Sequence, residues 1–359
     1  MKYVTITTDY PPKKGGVARY TQALARFFGS DMHIVADIRP QPEDHDEQGA
    51  KVSYVPFMQK RWPYWMGAVR ELEQHEAHAI FVQHVLPLGL AAHIHWRRTG
   101  VPYIVFLHGM DFSLATRNAW KRHLTKRVLR HAHTVVTNSQ ALRNDVETFC
   151  DVTPVVCYPM PGMMPAVAPK RLSPDGRTIE LLSVARLVER KGIQRVLRVV
   201  ANSPELRAGT HYTIVGAPGD YEKQLQRMVT DLGLYDTVTI VRDASETELV
   251  SAYERADVFV LPTLVLGEDR EGFGIAYLEA AGFGLPSIAS KLPGVNEAVL
   301  DQETGVLVDN DEELRRALLD LVENHERRKT LGEASRARVE TQFTPEIVYA
   351  DLVERLRSV

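Results

Sequence analysis

Glu271-Gly272-Phe273-Gly274-Ile275-Ala276-Tyr277-Leu278-Glu279 is a glycine-broken turn that opens a helix and carries two carboxylates eight positions apart. Helix N-termini expose unpaired N–H groups and the positive end of the macrodipole, and glycines at the entry let the backbone close on an anion. With a helix start near Phe273, the amides of Phe273, Gly274 and Ile275 face a phosphate, and Glu279 lies about 9 Å further along the axis. That separation suits a ribose hydroxyl pair. Glu271, just before the turn, then lies on the other side of the phosphate, beside an attached sugar. The stretch reads as a cradle for a diphosphate and a sugar together.

Around this turn, short apolar β-branched runs alternate with helical-period stretches, the pattern of a parallel sheet wrapped by helices. Strands are predicted at 3–7, 33–37, 52–55, 79–83, 103–107, 134–137 and 155–157, then at 179–184, 212–215, 238–241, 258–261, 287–289 and 305–308. This is an α/β chain with two Rossmann-like halves. Its 359 residues also give two domains on a prior of roughly 100–200 residues each. The prolines of 159–169 cannot continue a helix or a central strand, which places a linker from about 159 to 177. The domains expected are 1–165 and 166–342, followed by a last helix over 343–359.

Three strand ends carry chemistry. After 179–184 come Arg186 and Lys191, five residues apart before Gly192 and a helix, a spacing that suits a clamp on two phosphates. After 3–7, Gly15-Gly16 opens a helix whose N-terminus favours negative charge. G-x-G-x-x-G is missing, so this is not a dinucleotide fingerprint. His108-Gly109-Met110-Asp111 follows 103–107 at the carboxyl end, where ligands of open α/β sheets bind. Asp111 is placed to orient His108, to meet a second substrate, or to cap the next helix.

The E-G-F-G turn with its second Glu, together with R-x4-K-G some 80 residues earlier, resembles the signature of the GT4 family of retaining glycosyltransferases, of GT-B fold (glycosyltransferase group 1). The resemblance covers nearly the whole chain. It implies two Rossmann-like domains facing each other across a deep cleft, the first binding the acceptor and the second the donor, with the last helix returning to the first. It implies transfer of a hexosyl group from a UDP- or GDP-linked sugar to a hydroxyl of a glycan, lipid-linked or small-molecule acceptor, in cell-envelope or exopolysaccharide synthesis. Arg186 and Lys191 then hold the donor diphosphate, Glu271 positions the sugar, Glu279 takes the ribose, and His108 contacts the transferring sugar. The amides of Phe273, Gly274 and Ile275 face the phosphates, Gly16 faces them from the first domain, and Gly15 and Asp111 meet the acceptor. The loops of Gly216 and Arg242 lie near the nucleobase. Where relatives usually have two glycines after 287–289, only Gly294 is present. Family members are discussed in terms of front-face attack, a donor phosphate oxygen taking the acceptor proton.

Other classes are set against this reading. No cofactor is expected, whereas phosphorylases of the same broad fold need a lysine-bound pyridoxal phosphate. A sugar-nucleotide epimerase would carry extra acid/base carboxylates, and a non-catalytic nucleotide- or lipid-binding module need not keep both cations and both glutamates. No metal is expected either: Asp44-His45-Asp46 matches the D-x-D string of metal-dependent glycosyltransferases but reads as a solvated charge run. Cys150 and Cys157 lack C-x-x-C spacing and read as small buried hydrophobes in a reducing cytoplasm. The first residues read as a strand rather than a leader, and no stretch reaches the length of a membrane span. Net charge is -3, yet residues 1–170 carry 20 Lys/Arg against 14 Asp/Glu and the remainder 23 against 32. Within the basic half, Arg117, Lys121, Arg122, Lys126, Arg127 and Arg130 interleave with Trp120, Leu124, Val128 and Leu129. That stripe, with the aromatic-cationic patch 60–66, suits an anionic membrane surface at the inner face of the plasma membrane rather than nucleic acid.

Overall fold

The computed structural model describes residues 2–58, 63–167, 178–267 and 269–359. One sheet contains β1 (Tyr3–Thr7), β2 (Met32–Ala36), β3 (His45–Glu47), β4 (Ala50–Tyr54), β5 (Ala79–Val82), β6 (Tyr103–Leu107), β7 (Thr134–Thr137) and β8 (Val155–Val156), ordered β3-β4-β2-β1-β5-β6-β7-β8. The other contains β9 (Ile179–Val184), β10 (Thr210–Gly216), β11 (Val238–Arg242), β12 (Val258–Leu261), β13 (Ser287–Ser290) and β14 (Gly305–Val308), ordered β11-β10-β9-β12-β13-β14. Each predicted strand is present. All pairings are parallel except β3 with β4.

Asp44-His45-Asp46 is exposed, as a solvated charge run would be, but it is not all loop. His45 to Glu47 form an edge strand, with Asp44 Oδ1 accepting the Tyr54 N–H at 2.8 Å and Asp46 Oδ1 the Gly49 N–H at 2.6 Å. A polar edge strand shows no apolar alternation, so nothing in its pattern marked it.

Central strands are buried along their whole length, as in β1, β5, β6 and β12, because helices cover both faces of each sheet. Cys150 and Cys157 are buried free thiols in two separate hydrophobic clusters packed on the first sheet. The chain forms two compact units, Met1–Gly162 with Pro345–Val359, and Met163–Thr344. In the first, Tyr349, Leu352 and Leu356 of the closing segment are buried with Tyr3, Leu24 and Phe81, and the Phe27 and Tyr349 rings lie 4.8 Å apart. In the second, Arg336 donates to the carbonyls of Pro165 at 3.0 Å and Ala166 at 3.2 Å, so the residues just after the division are docked. Residues 168–177 of the expected linker lie outside the described residues.

The strand orders locate the ligand-binding ends. In an open parallel sheet, the crevice forms where successive connections leave in opposite directions, at the carboxyl ends of the two strands flanking the reversal. That point lies between β1 and β5 in the first unit and between β9 and β12 in the second.

The second unit also contains an unusually close helix packing. Gly332, inside the helix His325–Gln342, is buried where an added Cβ would stand 2.3 Å from the Gly284 carbonyl oxygen. Alanine normally improves a helix interior by about 1 kcal/mol over glycine. Here Gly332→Ala is expected to reverse that sign and cost about 1–3 kcal/mol through overpacking, read as a lower thermal midpoint. An unchanged or raised midpoint contradicts the packing described.

Candidate active site

In the second unit, three loops converge at the β9–β12 reversal. The chain leaves β9 through Arg186, makes a single turn over Glu189–Lys191, and enters the helix Ile193–Ala201 through Gly192. Gly192 has φ 71°, and a Cβ there would lie 1.9 Å from the Pro262 carbonyl oxygen, so only glycine lets this loop press against the end of β12. The Leu264 N–H donates to the Arg190 carbonyl at 2.7 Å, fastening the two loops together.

This closeness brings Lys191 and Glu271 into direct contact. Lys191 Nζ donates to Glu271 Oε2, and Arg190 Nη1 donates to the same oxygen at 2.9 Å. Arg190 Nε also faces Asp269 Oδ1 at 3.0 Å. Burial by itself opposes ionisation of Glu271, but Lys191 and Arg190 outweigh it and hold the carboxyl down to about 2. Arg186 differs: it is exposed, and its side chain has no polar partner among the described residues. Of the three cations on this loop, Arg190 and Lys191 are shared with carboxylates and Arg186 is free among the described residues.

The helix after the turn begins later than expected. It spans Ile275–Gly282, with Gly274 as N-cap at φ 93°, two residues beyond the start near Phe273 that the pattern gave. Phe273 is instead a buried core ring, 6.1 Å from the Phe343 ring, while Gly274 and Ile275 stand at the helix entrance. Glu279 is only 1% exposed, and its Oε2 accepts from the Tyr253 hydroxyl at 3.0 Å. Gly216 packs on the Arg186 loop, where a Cβ would stand 2.6 Å from the Ala185 oxygen. Arg242 lies on the surface and pairs with Glu222 at 3.0 Å. Gly294 presses on the turn itself, since a Cβ there would lie 2.1 Å from the Gly272 oxygen. A cavity of about 600 Å³ nearby is lined by Gln194, Arg195, Lys291 and Asp311, but by none of Arg186, Lys191 or Glu271.

The first unit has its own cluster at the β1–β5 reversal. Asp9, after β1, meets His84, after β5, with Nε2 and Oδ2 2.8 Å apart, and Lys13 pairs with the other Asp9 oxygen at 2.5 Å. On its other side, His84 Nδ1 lies 3.9 Å from Asp111 Oδ2, an ion-pair distance too long for a hydrogen bond. Asp111 Oδ1 accepts the His108 N–H at 2.8 Å, so Asp111 does orient the His108 turn. The His108 ring faces Gln83 Oε1 at 3.2 Å through Nε2. Gly15 and Gly16 begin the helix Gly16–Phe28, and a Cβ on Gly15 would meet nothing within 4 Å.

Two imidazoles in this cluster hold opposite states. Burial favours the neutral form of His84, but Asp111 and Asp9 outweigh it and push the ring up to about 9. For His108, burial leads and the neighbouring His84 charge adds to it against the pull of Asp111 and Asp9, bringing the ring down to about 4. Arg190, Asp9 and His84 are the residues that motif reading missed. Their signal was only position, immediately beside Lys191 or just past β1 and β5.

Two family models match the chain: "Glycosyltransferase Family 4" over residues 14–159 and "Glycosyl transferases group 1" over residues 166–338. A GDP-mannose-dependent alpha-(1-6)-phosphatidylinositol monomannoside mannosyltransferase of Mycolicibacterium smegmatis is 29% identical, over 92% of each chain. The amylovoran biosynthesis glycosyltransferase AmsK of Erwinia amylovora is 33% identical over 50% of this chain and 44% of its own. Among solved structures, Anabaena HepE in complex with UDP and glucose superposes over the full length of both chains, with TM-score 0.80 and 17% identity. The fold is therefore GT-B.

Two outcomes follow from the clusters. NMR of the imidazole rings is expected to find His84 charged at neutral pH with a midpoint near 9, and His108 neutral down to about 4. Since the His84 value is raised above its unfolded value of about 6.5, its stabilising contribution is complete below that value and fades as pH climbs through 9. Asp9→Asn should lower the His84 midpoint; a wild-type midpoint below neutrality contradicts the clamp. Separately, Arg190→Met leaves Asp269 and Glu271 short of a buried partner and is expected to cost about 3–5 kcal/mol, measured by denaturant unfolding.

Proposed function

Because this chain belongs to the family 4, group 1 glycosyltransferases, we propose that it transfers a hexosyl group, with retention and without a metal, from a UDP- or GDP-linked sugar to an acceptor hydroxyl. The acceptor is a glycan or a lipid-linked saccharide of the cell envelope or an exopolysaccharide. One observation carries the reading: a free Arg186 and a Glu271-shared Lys191 stand on one loop at the β9–β12 reversal, beside a helix entrance that carries glycine. The donor sugars in the names of the relatives, GDP-mannose, and the UDP bound in HepE agree with that class of donor.

In the proposed reaction the acceptor oxygen bonds to the anomeric carbon as the bond from that carbon to the β-phosphate oxygen breaks. The acceptor proton passes to a phosphate oxygen, and the products are a glycoside and a nucleoside diphosphate. Charge builds on the departing diphosphate, so fixed cations and oriented amides there lower the barrier more than the ground state. Arg186, Lys191 and the N–H groups at the start of the helix Ile275–Gly282 fill that role, which in other glycosyltransferases falls to a divalent ion.

Glu271 is a poor candidate for nucleophile or base. A carboxylate shared by two cations and held near 2 has little tendency to take a proton or a carbon. This supports front-face attack, with Glu271 positioning the sugar and Glu279 the ribose. His108, neutral at working pH, can accept or donate a hydrogen bond to a sugar hydroxyl without adding charge.

Thermal-shift measurements with UDP, GDP and ADP are expected to single out one base, adding about 2.7 kcal/mol at 100 times its dissociation constant. Arg186→Ala and Lys191→Ala should each lower kcat about 10²–10³-fold, with chelator leaving the wild-type rate unchanged. Nucleotide diphosphate released only in the presence of acceptor excludes an epimerase, and absence of any nucleotide binding defeats the assignment.

A further inference from the structure

In the first unit, the helix Ala119–His131 turns Val128 and Leu129 into the core, which corrects the sequence expectation that they belong to an outward apolar stripe. Of the aromatic-cationic patch, residues 60–62 lie outside the described residues. The feature that the transfer chemistry leaves unused lies in the second unit. It is the cavity of about 600 Å³ at the carboxyl ends of β12, β13 and β14, a volume within the range of small-molecule sites.

Its floor is buried and held by hydrogen bonds. Arg195, on the first turn of the helix Ile193–Ala201 and 7% exposed, donates through Nε to Asp311 Oδ1 at 2.6 Å and through Nη1 to the Pro262 carbonyl at 3.3 Å. Ser290, at the end of β13, donates to the Thr263 carbonyl at 2.7 Å, and the Lys291 N–H donates to the Val308 carbonyl at 3.1 Å. These bonds fix three strand ends side by side. Gln194, also in the lining, is 3% exposed; its Nε2 donates to the Glu189 carbonyl at 3.0 Å, while its Oε1 has no hydrogen-bond partner among the described residues. A buried acceptor left unpaired is costly, and a ligand that brings a donor relieves it.

Charge in the lining is balanced, with Arg195, Arg198 and Lys291 against Glu189, Asp309 and Asp311. Arg195 and Asp311 are paired with each other. Glu189, Arg198, Lys291 and Asp309 are exposed, and their side chains make no hydrogen bond or ion pair among the described residues. Tyr221, half-buried, lies within reach of the Glu189 and Arg198 charges, and Leu264 and Leu292 add apolar wall.

We propose that this cavity binds a neutral saccharide, whose hydroxyls bond to Asp309, Lys291 and Arg198 and whose C–H face lies on Tyr221 and Leu292. Each sugar hydroxyl is both donor and acceptor, so one ring meets unpaired cations and unpaired carboxylates together and supplies the proton that Gln194 Oε1 lacks. A dianionic phosphate brings acceptors only, gives Gln194 nothing and meets three carboxylates. A divalent ion meets three cations, and no group of three or more metal-ligating side chains occurs among the described residues. The inference rests on the glycosyl-transfer reading only for the source of the saccharide: an enzyme that extends a glycan has that glycan at hand, and the cavity holds a segment of it without using Arg186, Lys191 or Glu271.

Calorimetry and saturation-transfer NMR with neutral trisaccharides of glucose, mannose, galactose and N-acetylglucosamine, each with and without saturating UDP or GDP, test it. One of them is expected to bind equally well in both conditions and to resist competition by inorganic phosphate. Lys291→Ala combined with Asp309→Ala, both exposed and unpaired, should weaken that binding at least about tenfold with the thermal midpoint unchanged. Binding of no trisaccharide, displacement by the nucleotide or by phosphate, or full binding by the double variant overturns the proposal. The nucleotide-induced thermal shift is read on the same samples: its loss in wild type speaks against the transferase reading and leaves a bound saccharide standing, whereas its persistence with no saccharide bound removes the cavity proposal alone.

Discussion

Glu271 can be withdrawn from most of its water only because two cations are withdrawn with it, Arg190 buried and Lys191 largely so. Removing a carboxylate from water costs several kcal/mol even after relaxation, and a single partner seldom repays that when its own hydration is also lost. Here Lys191 and Arg190 converge on one oxygen, and Arg190 is balanced in turn by Asp269. The path of the backbone follows from this group. The turn after β9 must come close to the end of β12, which requires Gly192 against Pro262, and the E-G-F-G turn must deliver Glu271 to the same point before its helix begins at Ile275.

The first unit solves a related problem with different groups. At its own strand-order reversal, a charged His84 stands between Asp9 and Asp111, and Lys13 satisfies the far side of Asp9. In both units a carboxylate and a cation from different loops tie together strands that are neighbours in the sheet but distant in sequence. The consequence is rigidity where a ligand needs a fixed array of charges. Preorganised groups of this sort lose little on reorganising when charge develops, which is why they outperform water in the same role.

The fold was legible because parallel strands buried on both faces read as continuous apolar runs, and each of them stands where the runs predict. β3 was not, since a polar edge strand owes its existence to pairing with β4 and to aspartates that accept backbone N–H groups. Near Glu271 the glycines did mark a turn that opens a helix, while the helix start lies two residues later than expected, with Phe273 taken by the core. Arg190 escaped notice because in a sequence it is one more cation beside Lys191. Only the direction of its side chain, inward to Asp269 and Glu271, separates the two. Asp9 and His84 form no motif, and they come together only when β1 and β5 pair.

That difference in direction decides what each cation can do. Arg190 is 6% exposed and already engaged with two carboxylates, so it has nothing to offer a ligand directly. Among the described residues, Glu271 is the one side chain bonded to Lys191. Under the proposed reaction, a diphosphate competing for Lys191 would leave Glu271 still neutralised by Arg190, whereas without Arg190 the same exchange would strand an anion next to the incoming phosphates. Arg190 would thus make Lys191 transferable between a carboxylate and a phosphate at modest cost, and Arg186, without a polar side-chain partner among the described residues, would supply the second charge without any exchange.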